Sequence, residues 1–184
     1  MFTAKDVTAG NDSKYQTVGV SEKVKVTEVI LNHNEQYNSY SLTIKTINEN
    51  DQVGQSKRMS LNTEVREGNK VAAFTVTAKN LINILMSTGK TLEESQAVLE
   101  AKDQQELAKK VSSALVGKEF RGLFGKREYN PGKFVTELYT TEPVGGTKLV
   151  WDADNPYYVK RMPGSASNTA SPDGHVSTTS DLPF

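Results

Sequence analysis

Apolar and polar residues alternate in two segments of the first third of the chain. "VKVTEVIL" places Val24 and Val26 between polar neighbours, and "YSLTIKTI" does the same for Leu42 and Ile44. This period of two is typical of strands that bury one face. The intervening "NHNEQYNS" is rich in turn-forming residues. The pattern predicts an antiparallel hairpin, and a third run, "SKRMSLNT" (56–63), with Met59 and Leu61 on one side, extends it to a three-stranded meander.

The next segment changes to helical spacing. In "TAKNLINILMSTG", Thr77 is the expected N-cap and Gly89 the expected C-terminal stop. The apolar face of this helix is predicted to consist of Leu81, Ile82, Leu85 and Met86.

A second, largely solvated helix is predicted over "TLEESQAVLEAKDQQELAKKVSSALVG". It opens with a capping box of Thr91 and Glu94, and Glu106 and Lys110 are spaced to pair on one helical face. The thin apolar stripe of this helix is Leu92, Leu99, Val111 and Leu115. The two helices form an insert at about residues 78–114.

The chain then returns to a strand pattern over residues 117–140. A turn signal, Asn130-Pro131-Gly132, separates two runs rich in aromatic and β-branched residues. Gly122 and Gly125 inside the first run indicate a bulge or a tight bend. We expect a long, curved hairpin.

The order of these elements predicts a mainly β fold. Three strands, a helical insert between strands 3 and 4, and a closing hairpin match a five-stranded Greek-key barrel, the oligonucleotide/oligosaccharide-binding (OB) fold. An SH3-like barrel is the alternative, and it accounts less well for the insert. We expect one domain over residues 1–161, followed by a disordered tail over 162–184 that is dominated by Ser, Thr, Pro, Gly, Asn and Asp.

Composition narrows the function classes. The 184 residues include no cysteine, which excludes disulfides, thiolate metal sites and cysteine nucleophiles. There is no apolar run long enough to span a bilayer and no stretch of signal-peptide type, so we expect a cytoplasmic protein that does not contact a membrane. Lys and Arg number 22, as do Asp and Glu. Because the charge balances, only local patches can indicate a nucleic-acid partner.

Motifs for catalysis and metal binding are weak. "STGKT" (87–91) is similar to the end of a phosphate-binding loop, but Ile84 occupies the required earlier Gly position, and a helix precedes it where a strand is needed. His33 and Glu35 lie in a predicted hairpin loop, and the only other histidine, His175, lies in the tail. Asp152 and Asp154 supply too few oxygen ligands for calcium. We expect no enzymatic activity, no cofactor and no metal.

The strongest chemical signal is the second hairpin, where cations alternate with aromatic residues. Such a mixture binds single strands, because cations follow the phosphates while flat rings stack on unpaired bases. Its candidate DNA-binding residues are Arg121, Phe124, Lys126, Arg127, Tyr129 and Lys133. Tyr129 and Phe124 are expected to face outward, whereas Phe120 and Phe134 are expected in the core. The same mixture also occurs in strands that bind no ligand, because cations are common at solvent-exposed sheet edges and aromatic rings are common in the core.

The first hairpin and the third strand are expected to line the same groove. In OB folds, the loops between strands 1 and 2 and between strands 4 and 5 grip nucleic acid. Here these loops correspond to "NHNEQYN" and to the turn at Asn130-Pro131-Gly132. The additional candidates are Tyr37, Tyr40, Lys45, Lys57 and Arg58.

The meander with "SLTIKTI", the "NLINIL" helix ending at Gly89, and "LVGKEFRGLFGKREYNPGKF" together resemble the small single-stranded DNA-binding proteins of tailed bacteriophages. The terminal "SDLPF" is similar to the acidic tip, ending in Pro-Phe, of bacterial single-stranded DNA-binding proteins. Bacterial tips carry several aspartates, whereas this one has Asp181 alone. The resemblance implies an OB fold, binding that is independent of sequence, and a tail that recruits replication, recombination or repair enzymes.

We therefore expect a protein that coats and protects single-stranded DNA, located in the bacterial host cytoplasm if it is phage-encoded. RNA is an alternative ligand, and the oligomeric state is left open. The tip of Asp181, Leu182, Pro183 and Phe184 is expected to bind partner enzymes, with Phe184 in an apolar pocket and its carboxylate against a basic residue. The alternative function is an OB-fold adaptor or recombination mediator whose main ligand is another protein.

Overall fold

The computed structural model describes residues 14–155 and 158–160. They form a mainly β structure with one sheet, largely antiparallel, and three helices. The strands are β1 (Gly19–Asn34), β2 (Ser39–Asn48), β3 (Val53–Gln55), β4 (Met59–Ser60), β5 (Glu119–Asn130), β6 (Lys133–Glu142) and β7 (Val159–Lys160). The helices, α1 (Ala73–Ser87), α2 (Leu92–Leu99) and α3 (Gln104–Leu115), lie between β4 and β5. The predicted tail at 162–184 lies outside the described residues.

The first predicted hairpin is confirmed. β1 and β2 pair antiparallel, and the register shifts between Val26 and Glu28. This irregularity changes the side of the sheet to which the following side chains point. As a result, Val26 before it is fully buried and Val29 after it also packs against the core. A short 3-10 helix (Glu35–Tyr37) makes the turn, and Asn38 in the left-handed conformation (φ 41°) ends it.

The third strand is shorter than predicted. Instead of one strand over 56–63, β3 and β4 pair separately with β2. Met59 and Leu61 are both buried, as the alternation predicts. Thr77 Oγ1 donates a hydrogen bond of 2.7 Å to the Ser60 carbonyl, which ties this segment to α1.

The helices differ from the prediction in number and in place. Thr77 is not an N-cap, because α1 begins at Ala73 and Thr77 is buried inside it. The core face of α1 contains Ile84 rather than Met86, which is 40% exposed. The predicted second helix is divided at residues 100–103 into α2 and α3. The Thr91–Glu94 capping box of α2 is confirmed, and α3 has its own N-cap, because the Asp103 side chain accepts a hydrogen bond from the Glu106 amide.

The second predicted hairpin is also confirmed, with β5 and β6 joined at Pro131 and Gly132. The strand path is β3-β2-β1-β5-β6, with β4 attached to β2 and β7 to β5. β5 pairs antiparallel with β1 and β6 and parallel with β7. An isolated parallel bridge joins Ser56, directly after β3, to Leu138 in β6. Side chains from β1, β2 and β5 and from α1 and α3 form one core around Phe120, Phe124, Leu81 and Leu115.

The segment after β6 packs back on the sheet, which the sequence did not predict. Trp151 stacks on Tyr158, with ring centroids 5.9 Å apart, and Tyr158 contacts the Tyr139 ring edge-on at 6.3 Å. The Lys126 amide donates to the Tyr158 carbonyl at 2.7 Å. A Cβ at Gly125 would collide with that carbonyl, so glycine is needed there for the close approach.

None of the three helices in the described part of the chain is both long and apolar enough to cross a bilayer.

Candidate nucleic-acid interface

Three predicted site residues from different parts of the chain line one cleft. Lys45 lies on β2, Arg58 lies between β3 and β4, and Arg127 lies on β5, yet all three border a cleft of about 380 Å³. The remaining lining residues are Ile30, Asn32, Thr43, Gln55, Ser56 and Glu137. The Ser56–Leu138 bridge explains the convergence, because it brings the residues after β3 alongside β6 and the β5–β6 hairpin.

Near the turn of the second hairpin, the acidic residues are buried and the lysines are exposed. Glu137 is 4% exposed and accepts two hydrogen bonds from Arg127, at 3.0 Å to Nε and 2.7 Å to Nη2. Glu128 is also 4% exposed, and its Oε1 accepts a hydrogen bond from the Gly132 amide at 2.7 Å. Lys126 and Lys133 are exposed. The surface of the hairpin near its turn is therefore more basic than the composition of this segment indicates.

Arg127 is held in place without being enclosed. Its side chain is 41% exposed. The hydrogen bonds to Glu137 raise the pKa of its guanidinium above the ordinary value, although burial opposes this effect in part. The Arg127 guanidinium is planar and carries five N–H donors, of which Glu137 engages those on Nε and Nη2. A fixed, partly exposed guanidinium at the edge of a cleft is suited to binding a phosphate.

A second pocket continues the cleft and adds two aromatic rings. It measures about 390 Å³ and shares Lys45 and Gln55 with the first. Tyr15 and Phe134 line it and are 71% and 37% exposed. The other lining residues are Gln16, Val53, Gly54, Val135 and Thr136. The ammonium group of Lys126 lies 6.0 Å from the centre of the Phe134 ring, at the outer limit of a cation–π contact.

Two of the expected ring orientations are wrong. Phe124 is completely buried and belongs to the core, whereas Phe134, expected in the core, is exposed. The register of β5 and β6 shifts between Leu123 and Phe124, and both of these residues are buried. Simple alternation fails at such an irregularity. Tyr129 is 49% exposed, which agrees with its expected outward orientation, and Phe120 is buried as expected.

Arg121 does not line the groove. It joins β1, β6 and the segment after β6 through hydrogen bonds, and we call this set of contacts the Arg121 clamp. Its Nε and Nη2 donate to Glu22 at 2.7 and 2.9 Å, and its Nη1 donates to Glu142 and to the Leu149 carbonyl. The side chain is only 12% exposed. Because these contacts occupy both ends of the guanidinium, the structure gives Arg121 a role in fixing the segment after β6 and not in contacting a ligand.

The clamp affects the pKa values of both carboxylates. The hydrogen bond from Arg121 is the main reason that the pKa of Glu22 is lowered. Burial alone would raise the pKa of Glu142, but the hydrogen bonds from Arg121 and from the amides of Leu149 and Lys148 lower it overall. Both acids are therefore more strongly ionised than free glutamates.

The remaining predicted residues lie apart from this cleft. Tyr37 and Tyr40 border a separate pocket of about 470 Å³ at the β1–β2 turn, and the Tyr40 ring stacks on His33 with centroids 4.3 Å apart. Lys57 is exposed and lines a small crevice of about 30 Å³ between α1 and β6. The structure thus divides the predicted residues between the cleft, the second hairpin, the first turn and the α1 crevice.

The motifs with weak signals for catalysis or metal binding lie at helix ends, in a turn and in a loop. The "STGKT" run is the end of α1 and the N-cap of α2, with Gly89 at φ 93°. His33 Nε2 lies 3.2 Å from Asn38 Oδ1 in the first turn. Asp152 Oδ1 accepts a hydrogen bond from the Asp154 amide. Within residues 14–155 and 158–160, no group of three or more His, Asp or Glu could hold a metal ion.

Sequence reasoning missed Tyr15, Gln55 and Glu137. Glu137 lies diagonally opposite Arg127 because the hairpin register shifts between Glu128 and Asn130, so the turn at Pro131 and Gly132 alone would not have revealed this pair. Tyr15 has no local signal either, because it lies outside the strands and its backbone bridges to Val53 in β3. The tip from Asp181 to Phe184 lies outside the described residues.

In comparisons with known proteins, the sequence matches no protein-family model and no curated protein.

Proposed function

We propose that the chain is an OB-fold protein that binds single-stranded DNA without sequence preference. The fold proposal is supported by the strand path, in which β1 lies between the two hairpins, and by the helices between β4 and β5. It is also supported by the parallel bridge from Ser56 to Leu138, which links the two ends of that path as closure of a barrel requires.

The convergence of Lys45, Arg58 and Arg127 on one cleft is the observation that carries the function. Three cations from separate parts of the chain provide a positive track for a phosphate backbone. The described part of the cleft contains one carboxylate, Glu137, and its negative charge is paired with Arg127.

Exposed aromatic rings near the cleft favour a single strand over a duplex. Tyr15, Tyr129 and Phe134 are exposed on the β5–β6 hairpin or next to it. Flat rings stack on unpaired bases of any identity, whereas the bases of a duplex are already stacked on one another. The predicted lack of sequence preference follows, because every base offers a π face.

In this proposal the body holds the strand, and the tip of Asp181, Leu182, Pro183 and Phe184 recruits replication, recombination or repair enzymes. A role in phage DNA metabolism rests on the resemblance in sequence. Titration of the protein into labelled oligo-dT and into a duplex of the same length tests the binding proposal. We expect preference for the single strand, and equal or better binding of the duplex would contradict it. If neither bound, the adaptor function would be favoured.

A further inference from the structure

A polar pair, Asn32 of β1 and Thr43 of β2, lies beside one of the cleft cations. Thr43 and Lys45 alternate along β2 with the buried residues Leu42 and Ile44, so they lie on the sheet face opposite the core. Asn32 lines the same cleft as both. Two residues correspond to about 6.5 Å along a strand. The pair therefore lies next to a lysine that, in the proposed function, holds a phosphate.

The side-chain amide of Asn32 has a fixed orientation. Its Nδ2 donates to Thr43 Oγ1 at 3.1 Å and to the carbonyl oxygens of Ser41 and Ile30 at 3.4 and 3.5 Å. Since a carbonyl oxygen can only accept, the nitrogen and not the oxygen of the amide must face these two groups. Asn32 Oδ1 is thereby left without a donor among the described residues.

The hydroxyl of Thr43 is left with an unused donor. It accepts the hydrogen bond from Asn32, and no acceptor in the described part of the chain takes its proton. A hydroxyl carries one donor as well as two acceptor sites. The pair therefore offers one acceptor, Asn32 Oδ1, and one donor, the Thr43 O–H, to a ligand in the cleft.

The backbone of RNA can use both groups, whereas the backbone of DNA can use only one. Phosphate and deoxyribose oxygens within a DNA strand accept hydrogen bonds but do not donate them, so they leave Asn32 Oδ1 unsatisfied. The ribose 2′-hydroxyl both donates and accepts, and it allows a protein to distinguish RNA from DNA. Because sugars alternate with phosphates along a strand, a phosphate at Lys45 would bring a sugar close to the pair.

We propose that Asn32 and Thr43 form a ribose-binding subsite, in which the 2′-hydroxyl donates to Asn32 Oδ1 and accepts from the Thr43 hydroxyl. This inference rests on the proposed function, because it requires the strand backbone to follow the cations of the cleft. It extends the ligand class to single-stranded RNA. RNA binds more tightly than DNA of the same sequence, because the 2′-hydroxyl adds contacts that deoxyribose lacks.

The test compares the affinity of the full chain for three strands of equal length, namely oligo-U, oligo-dU and 2′-fluoro oligo-U. The first two differ only in the 2′-hydroxyl. The 2′-fluoro strand keeps an RNA-like sugar pucker but has no O–H donor. Fluorescence anisotropy at one fixed salt concentration measures each affinity. We expect oligo-U to bind about 2- to 12-fold more tightly than either of the other strands, the range for one hydrogen bond.

Asn32→Leu removes the acceptor and keeps a side chain of similar shape. It should lower the affinity for oligo-U to that for oligo-dU and leave oligo-dU binding unchanged, whereas loss of a merely structural role would weaken binding of both strands alike. Asn50→Leu is the matched control, because Asn50 is an exposed asparagine in the turn between β2 and β3 and does not line the cleft. This control should keep the full preference for oligo-U.

The outcomes separate this inference from the proposed function. If the unmodified chain bound oligo-U no more tightly than oligo-dU, or bound the 2′-fluoro strand as tightly as oligo-U, the subsite would be refuted while the proposed function stood. A preference for oligo-U that persisted in Asn32→Leu would refute it as well. If the unmodified chain bound a DNA duplex of equal length as tightly as oligo-dU, the proposed function would fail and the subsite with it.

Discussion

Arg127 and Glu137 form a two-point ion pair across the β5–β6 hairpin, with the carboxylate buried and the guanidinium partly exposed. The pair fixes a cation at the edge of the cleft that Lys45 and Arg58 also line. Arg121, six residues earlier on the same strand, is instead enclosed by Glu22 and Glu142. Two arginines of one strand thus have different surroundings, and we expect their substitutions to have different effects.

Replacing a cleft cation should weaken DNA binding and reduce its salt dependence. For Arg58→Gln and Lys45→Gln we expect the slope of log K against log salt to fall by about 0.7 for each phosphate that the variant no longer neutralises. Isothermal or fluorescence titrations at several salt concentrations measure this slope. Lys109→Gln is the matched control, because Lys109 is a lysine on α3 outside the cleft. A similar decrease in Lys109→Gln would show that the effect is one of net charge and not of the cleft.

Substitution of Tyr129 should affect DNA binding, whereas substitution of Phe124 should affect stability. Tyr129→Ala removes an exposed ring and should weaken binding of oligo-dT by about 1–3 kcal/mol with little change in the free energy of unfolding. Phe124→Ala removes a fully buried ring and should lower the free energy of unfolding by about 3–5 kcal/mol. Chemical denaturation and titration of both variants provide the comparison. Reduced stability in Tyr129→Ala without any change in affinity would place that ring among the packing residues.

The Arg121 clamp should contribute to stability in a way that depends on pH. The pKa values of Glu22 and Glu142 are lowered in the folded state, so the clamp stabilises the fold above the ordinary glutamate pKa of about 4.3. The contribution disappears as the pH falls through the lowered values. We expect Arg121→Gln to be less stable than the unmodified chain at pH 7, with a difference that shrinks in acid. Denaturation at pH 7 and below about pH 4 measures it, and a constant difference would contradict the clamp.

Gly125→Ala should displace the segment that carries β7. The added Cβ would collide with the Tyr158 carbonyl, which accepts the hydrogen bond from the Lys126 amide. The single tryptophan of the chain, Trp151, stacks on Tyr158 and reports the change. We expect a red shift of its emission and a lower Tm. Val150→Ala, which trims an exposed neighbour, is the control, and unchanged emission in Gly125→Ala would refute the close approach.

Deleting the tip from Asp181 to Phe184 should leave DNA binding unchanged or slightly tighter, because the deletion removes negative charge and no cleft residue. We expect it to abolish capture of replication enzymes, and Phe184→Ala alone should cause most of that effect. A pull-down with full-length and truncated protein measures the difference. Capture of the same enzymes by the truncated chain would refute the role of the tip.

The sequence predicted the two hairpins well because their signals are local. Alternation gave Val24, Val26, Leu42 and Ile44 as buried residues, and the Asn130-Pro131-Gly132 turn located the second hairpin. The division of the second helix was missed, although Asp103 offered the N-cap signal that begins α3.

The site was harder to predict because it depends on contacts between distant segments. Phe124 and Phe134 were assigned to the wrong sides, since the hairpin register shifts beside each of them, between Leu123 and Phe124 and again between Glu128, which faces Phe134, and Asn130. Arg121 could not be assigned from its neighbours, because Glu22 lies 99 residues away in sequence. The cleft itself depends on the bridge between Ser56 and Leu138, which no local pattern indicates.

The most direct test of the central claim is the affinity of the full chain for oligo-dT and for a duplex of equal length, measured by fluorescence anisotropy between about 50 and 200 mM salt. We predict tighter binding of the single strand at every salt concentration, with log K falling linearly as log salt rises. Equal affinity for the two DNAs, or binding to oligo-dT that does not respond to salt, would contradict the assignment of this cleft to single-stranded DNA.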